Sequence, residues 1–191
     1  MLPLDLGVGL ALHATTETDA EEAFPVVDAE RARLREWLPW VDSTVTLAVE
    51  QDYLRSIEQA NDLGAGLHAT IRLDGGFGGF IGLRLNAAHR SAEVGYWLSE
   101  RCVGRGVMTR AVAAMCDLAF GPLQLHRFEL LAATGNTRSR AIAERLGMSL
   151  EGIRREAEEL PTGLVDLAMY AVLSQDWPGG PAVLSRLEPS S

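Results

Sequence analysis

The chain has 191 residues, of which 47% are hydrophobic and 23% charged, the length and composition of one folded domain with a core of its own. Its formal net charge of -9 disfavours non-specific binding to nucleic acid or to an anionic membrane surface, both of which take a basic face. No apolar run has the length of a membrane-spanning helix, and the apolar start MLPLDLGVGLALHATT carries Asp5 and lacks the basic opening of a signal peptide, so the cytoplasm is the expected setting. The two cysteines, Cys102 and Cys116, have no metal-ligand spacing and read as reduced thiols.

In chain order, residues 8–14 alternate as a first strand. Thr18 followed by Glu21 and Glu22 has the polar cap and early acids of a helix start, and that helix is expected to reach residue 36 with a break at Pro25. Trp37-Leu38-Pro39-Trp40 ends it, and its two tryptophans suit either core packing or the wall of a substrate pocket. A second helix is expected over residues 49–62, with Gly64 as its stop. Residues 67–73 and 80–85 alternate around the turn signal Asp74-Gly75-Gly76 and predict a hairpin. The GGFGGF run lies between strands, with no helix N-terminus to supply phosphate donors.

The next stretch, SAEVGYWLSERCVGRGVMTRAVAAMCDLAF, predicts a strand, a basic glycine loop and a helix. Val94, Tyr96 and Leu98 alternate with Glu93, Gly95 and Trp97, and after the loop an apolar stripe runs through Met108, Ala111, Val112, Met115, Cys116 and Ala119. A glycine loop opening into a helix offers free N–H groups and a positive dipole end to a phosphate, with Arg101 and Arg105 as added charge, and these two with Arg110 could form a local basic patch. By spacing alone it is equally a plain turn. A strand at residues 127–132 should run parallel to residues 92–98, as strand–helix–strand units do. Asn136 then caps a helix that ends at Gly147. Two strands follow around Pro161-Thr162-Gly163, and the Pro/Gly/Ser-rich end from Ser174 is expected to fray. His13, His68, His89 and His126 have no partner pattern, and no internal repeat is present.

This order of elements, with Arg101-x-x-Gly104-x-Gly106 after the fourth strand, resembles the GNAT superfamily of acyl-CoA-dependent N-acyltransferases. Glu93-Val94-Gly95-Tyr96-Trp97-Leu98, Asn136-x-x-Ser139 and Leu150-Glu151-Gly152 are similar to its RimJ/RimL branch, which acetylates N-terminal amines of ribosomal proteins. The resemblance implies an α/β (α+β) fold: a mixed, mostly antiparallel sheet of about seven strands with a splayed parallel pair in the middle, flanked by about four helices. It implies one domain over residues 1–175 with a flexible tail over 176–191. It implies acetyl-CoA or another acyl-CoA as co-substrate, no metal, and a homodimer. The pantetheine arm would lie along Trp97, Leu98 and Ser99 and reach Asn136 and Ser139. The pyrophosphate would sit on the N–H groups of Val103, Gly104, Arg105, Gly106, Val107 and Met108, and Trp37 and Trp40 would wall the substrate pocket. Where many relatives carry a thiolate-protonating tyrosine this chain has Ala143, and the branch implies Ser139 instead, with Glu158 as base.

An α-amino group with a pKa near 7.7–8.0 is already about a tenth neutral at pH 7, so a carboxylate acting through water could serve it. Ser139, too weak an acid to protonate a thiolate alone, need only donate a hydrogen bond, and it could instead support its helix N-terminus. Strict alternation puts Glu156 on the same face as Glu158, leaving the base open between them. The acceptor is expected to be a protein N-terminus, with a polyamine, aminoglycoside or toxin amine as the alternative and succinyl as a possible longer donor.

Overall fold

The structure, a computed structural model, describes residues 1–187. Strand β1 (Leu4–Asp5) pairs antiparallel with β2 (Leu10–Ala14). Between them Gly7, Val8 and Gly9 all have left-handed φ (75°, 48° and 74°), which is why the strand begins at Leu10 and not at residue 8. The two-residue β1 is too short to register as alternation and adds one strand at the sheet edge. Helix α1 (Ala20–Ala29) keeps Pro25 inside it and ends at Glu30, whose φ of -104° and ψ of 12° leave helical geometry. The expected single helix is therefore two, with α2 (Arg31–Leu34) following. Arg31 donates to the carbonyls of Val41 and Thr44 and so pins the Trp37–Trp40 loop. Thr46 Oγ1 caps α3 (Leu47–Asp62) by accepting from the Val49 N–H at 3.3 Å.

Strands β3 (Gly66–Leu73), β4 (Gly76–Asn86) and β5 (Ser91–Leu98) form the expected antiparallel meander. The first turn rests on Asp74 and Gly75, both left-handed (φ 53° and 77°), as a two-residue hairpin loop requires. Helix α4 (Val107–Phe120) crosses to β6 (Arg127–Ala133), and α5 (Thr137–Arg145) leads to the hairpin β7 (Ser149–Leu160) and β8 (Gly163–Leu173). The sheet order is β1-β2-β3-β4-β5-β6-β8-β7, and only β5 and β6 run parallel.

That parallel pair is bonded over half its length. Pairing runs from Ser91–Arg127 to Val94–Leu130 and stops, while β4 still holds β5 as far as Leu98 and β8 holds β6 as far as Ala133. Each strand is fixed by its outer neighbour and the two part, leaving unpaired strand edges on either side of a gap. The apolar stripe of α4 packs on one sheet face against Ile81, Leu83, Phe128 and Leu130. On the other face Ala23 and Val27 of α1 pack with Leu34, Val41, Phe77 and Trp97.

The chain end departs from its composition. Trp177 Nε1 and the Gly180 N–H both donate to Asp117 Oδ1 (2.7 and 2.9 Å), docking a short helix, α6 (Gly180–Leu184), against α4 with Val183 buried. Residues 176–187 of the expected tail thus lie against the domain, held by one aspartate that satisfies two donors. The remaining residues of the expected tail, 188–191, lie outside the described residues.

Candidate active site

The gap between β5 and β6 opens into a cleft of about 1390 Å³ that runs from the α4 N-terminus to α3 and the Trp37–Trp40 loop. At its first end Gly104 and Gly106 take left-handed φ (79° and 71°), and Gly106 is the N-cap of α4. The N–H groups of residues 104–109 meet no acceptor among the described residues, and the first amide to close a helical turn is that of Arg110, on Gly106 O. Six free donors at a positive helix end fit a pyrophosphate. Arg110 and Arg138 also line the cleft and make no ion pair among the described residues.

Several predicted donor contacts fall elsewhere. The Val103 N–H is used on Glu100 O, although its side chain lines the cleft. Arg101 folds back to donate twice to Phe77 O (3.0 and 2.6 Å), and Arg105 reaches out to Asp74 at 3.4 Å, so neither guanidinium faces the free amides. Ser99 is buried: its N–H bonds Gly78 O, its hydroxyl turns to Cys102 Sγ, and it lies outside the cleft. Trp97 O points at β4, where a Cβ on Gly79 would come within 2.3 Å of it. Alternation then turns the backbone groups of Tyr96 and Leu98, not those of Trp97, toward the gap. Of these, Leu98 O already accepts from Arg33 Nη2 at 2.8 Å.

In mid-cleft, Asn136 caps α5 by accepting the Ser139 N–H on Oδ1 (3.1 Å). That leaves the Ser139 hydroxyl for another partner, which is the Tyr96 hydroxyl at 2.9 Å. Burial pushes Tyr96 up to about 12, against the opposing Ser139 bond and the Arg145 charge. Arg145 is held by Thr109 Oγ1 at 2.6 Å, and Ala143 is fully buried. Sequence reading gave Tyr96 no role because alternation puts it on the core face with Val94 and Leu98. Its one distinguishing mark is a hydroxyl on an otherwise apolar face, and buried tyrosine hydroxyls need partners.

Glu158 and Ala157 line the cleft and Glu156 does not. Between the pairs Arg154–Leu167 and Glu158–Val165, strand β7 bulges. Glu156 takes a left-handed φ of 47° and its N–H bonds Asp166 Oδ1 at 2.8 Å. The shared face expected of Glu156 and Glu158 is broken by that bulge. The Glu158 carboxyl is raised first by burial and then by the charge of Glu93, against the pull of Arg84. Glu93 and Arg84 are cross-strand neighbours and ion-paired to each other. Trp37 and Trp40 both line the cleft, Trp37 over Gly135 and Trp40 against Trp97 with ring centroids 6.2 Å apart. Among the described residues no group of three or more His, Cys, Asp or Glu side chains could hold a metal ion.

A half-paired parallel strand couple beside a free-amide helix end defines an acyl-CoA-type transferase scaffold, and comparison with known proteins agrees. Residues 10–149 match the acetyltransferase (GNAT) domain family. The chain belongs to that family and is an acyl-CoA-dependent acetyltransferase. It is 32% identical to the putative ribosomal N-acetyltransferase YdaF of Bacillus subtilis, over 84% of this chain and 89% of that one. It is 26% identical to the ribosomal-protein-serine acetyltransferase of Escherichia coli, over 85% and 91% respectively. Its fold matches RimL, a ribosomal L7/L12 alpha-N-protein acetyltransferase solved with coenzyme A, at a TM-score of 0.87 and 22% identity over 90% of this chain and 98% of that one.

Proposed function

We propose that the enzyme acetylates the N-terminal α-amino group of a protein, a ribosomal protein first among candidates. The observation that carries this reading is Glu158, a raised carboxylate with no hydrogen bond or ion pair among the described residues, in the same cleft as the free amides of residues 104–109. The relatives named for ribosomal-protein acetylation support the acceptor class.

Acyl-CoA would supply an activated acyl group as a thioester, with its pyrophosphate on the N–H groups of residues 104–109. Glu158 takes a proton from the amine through a water, a modest task for a group whose pKa lies near 8. Tyr96 stays protonated at neutral pH and shares a hydrogen bond with Ser139 Oγ. With Tyr96 as the donor of that bond, Ser139 has its own O–H left to aim into the gap at the departing sulfur. Trp37 and Trp40 shield the acceptor end from water. The long edge strand β7 and its partner expose Leu150, Ile153 and Leu164, a surface that a second copy would cover in the homodimer this reading carries. The setting it carries is the cytoplasm.

The test is CoA release with acetyl-CoA and a matrix of acceptors: peptides with free or blocked N-termini, polyamines and aminoglycosides. Turnover confined to free N-termini supports the proposal. Far higher kcat/KM on a small amine than on any peptide would replace it with small-molecule N-acylation, and a succinyl-CoA arm reads the donor.

A further inference from the structure

The α3 face toward the cleft carries Glu50, Tyr53, Leu54 and Ile57, the one-stripe spacing of an amphipathic helix. An apolar residue belongs at the first of these positions. Glu50 is there instead, only 2% exposed, with no hydrogen bond or ion pair to its carboxylate among the described residues. It lines the same cleft as Glu158, together with Thr15, His68 and Tyr53. Burial, with no neighbouring charge contributing, pushes its carboxyl up, and burial likewise pushes the His68 imidazole down. The Tyr53 hydroxyl is raised by burial and by the Glu50 charge.

A buried carboxylate with no partner destabilises a fold unless something pairs with it. Nothing among the described residues does so, and the residue lines an active-site cleft whose wall is partly aromatic (Trp37, Trp40, Tyr53, Phe80). Carboxylate and aromatic faces together suit an organic cation. The amine that reacts must be neutral when it attacks, so it is not the group that Glu50 needs.

We propose that Glu50 is the anionic end of an acceptor subsite that takes a second positive charge, a primary ammonium or a guanidinium carried by the acceptor beyond the amine to be acetylated. The inference rests on the reading of the acceptor as an amine and narrows it to cationic acceptors. On a protein, the charge would be a basic side chain near the N-terminus; on a small molecule, it would be the far amine of a diamine.

The experiment compares wild type with Glu50→Gln on two probe pairs. One is alanyl-arginyl-glycinamide against its citrulline analogue, and the other is 1,4-diaminobutane against butylamine. Equilibrium binding is measured with CoA present, so that no turnover is needed, and kcat/KM is measured with acetyl-CoA. Wild type should prefer the member with the second positive charge in at least one pair. Glu50→Gln should cut that preference roughly 10- to 100-fold, the scale of a hydrogen bond to a charged group, and leave the member without the second charge within about twofold. The pair that responds identifies the source of the cation. No preference in wild type, a preference that survives Glu50→Gln, or equal losses on both members would overturn the subsite. A lower melting temperature for Glu50→Gln at pH 7 would also overturn it, because it would reveal an internal partner; the subsite predicts an equal or higher one. If only the diamine responds and no peptide is acetylated, the protein-acceptor reading fails while the subsite stands.

Discussion

Glu158, the proposed base, is tuned by burial first and then by two charged neighbours, Glu93 and Arg84. Burial raises its carboxyl, the Glu93 charge raises it further, and Arg84 pulls it down. The base acts as a carboxylate, so activity is lost as pH falls through its pKa, and the acidic limb of kcat/KM should sit above the ordinary glutamate value near 4.3. Glu93→Gln removes a negative neighbour and frees Arg84 from its ion pair. Both changes favour the carboxylate, so the limb should move to lower pH. Arg84→Met should move it to higher pH by the converse reasoning. Glu158→Gln should lower kcat by about 100-fold, the small end of general-base effects because an α-amine is already partly neutral, with acyl-CoA affinity unchanged. A limb that stays in place in both neighbour variants would mean that another group titrates.

At the scale of the element, β7 decides which glutamate reaches the cleft. Alternation, the only strand rule a sequence offers, puts Glu156 and Glu158 on one face. The bulge between Arg154 and Glu158 removes Glu156, and nothing in Arg155-Glu156-Ala157 announces it, because no glycine or proline marks the left-handed turn. The stabilising partner is Asp166 on the opposite strand, through its bond to the Glu156 N–H. Asp166→Ala should loosen the bulge and lower kcat about tenfold without changing acyl-CoA affinity. Glu156→Gly, which relieves the left-handed strain, should be neutral or stabilising by up to about 1 kcal/mol. If Asp166→Ala leaves kcat intact, the bulge is held by pairing alone. The same limit explains the other misplacements. Element order, the parallel crossover and the glycine loop are local patterns, and they were legible. The turning of Arg101 to Phe77 O, the burial of Ser99 and the Tyr96–Ser139 contact depend on which side chain meets which across the sheet, and period and spacing carry no such information. The Arg84–Glu93 neighbours were within reach of antiparallel register, since both strands were predicted.

Over the whole molecule, the cleft exists because β4 and β8 each hold one of the parting strands and α4 spans both on a single face. The position of α4 therefore matters twice, as the floor of the core and as the source of the free amides. Its far half is clasped by the chain end through Asp117, which accepts from Trp177 Nε1 and from the Gly180 N–H. Hydrogen bonds to a charged acceptor are worth roughly 1.5–3 kcal/mol each, but a partly exposed aspartate whose donors can turn to water returns less than the sum. Asp117→Ala should thus cost about 2 kcal/mol and lower the melting temperature by roughly 4–8 °C in a domain of this size. Because the clasp acts on the end of α4 away from Gly106, acyl-CoA affinity at 25 °C should stay within about twofold, and saturating acyl-CoA should raise the melting temperatures of variant and wild type by similar amounts. Trp177 fluorescence, read in a background with Trp37, Trp40 and Trp97 replaced by Phe, reports the clasp: with Asp117→Ala it should shift to the red before global unfolding. An unchanged melting temperature with an unchanged Trp177 spectrum would mean that burial of Val183, and not Asp117, docks α6.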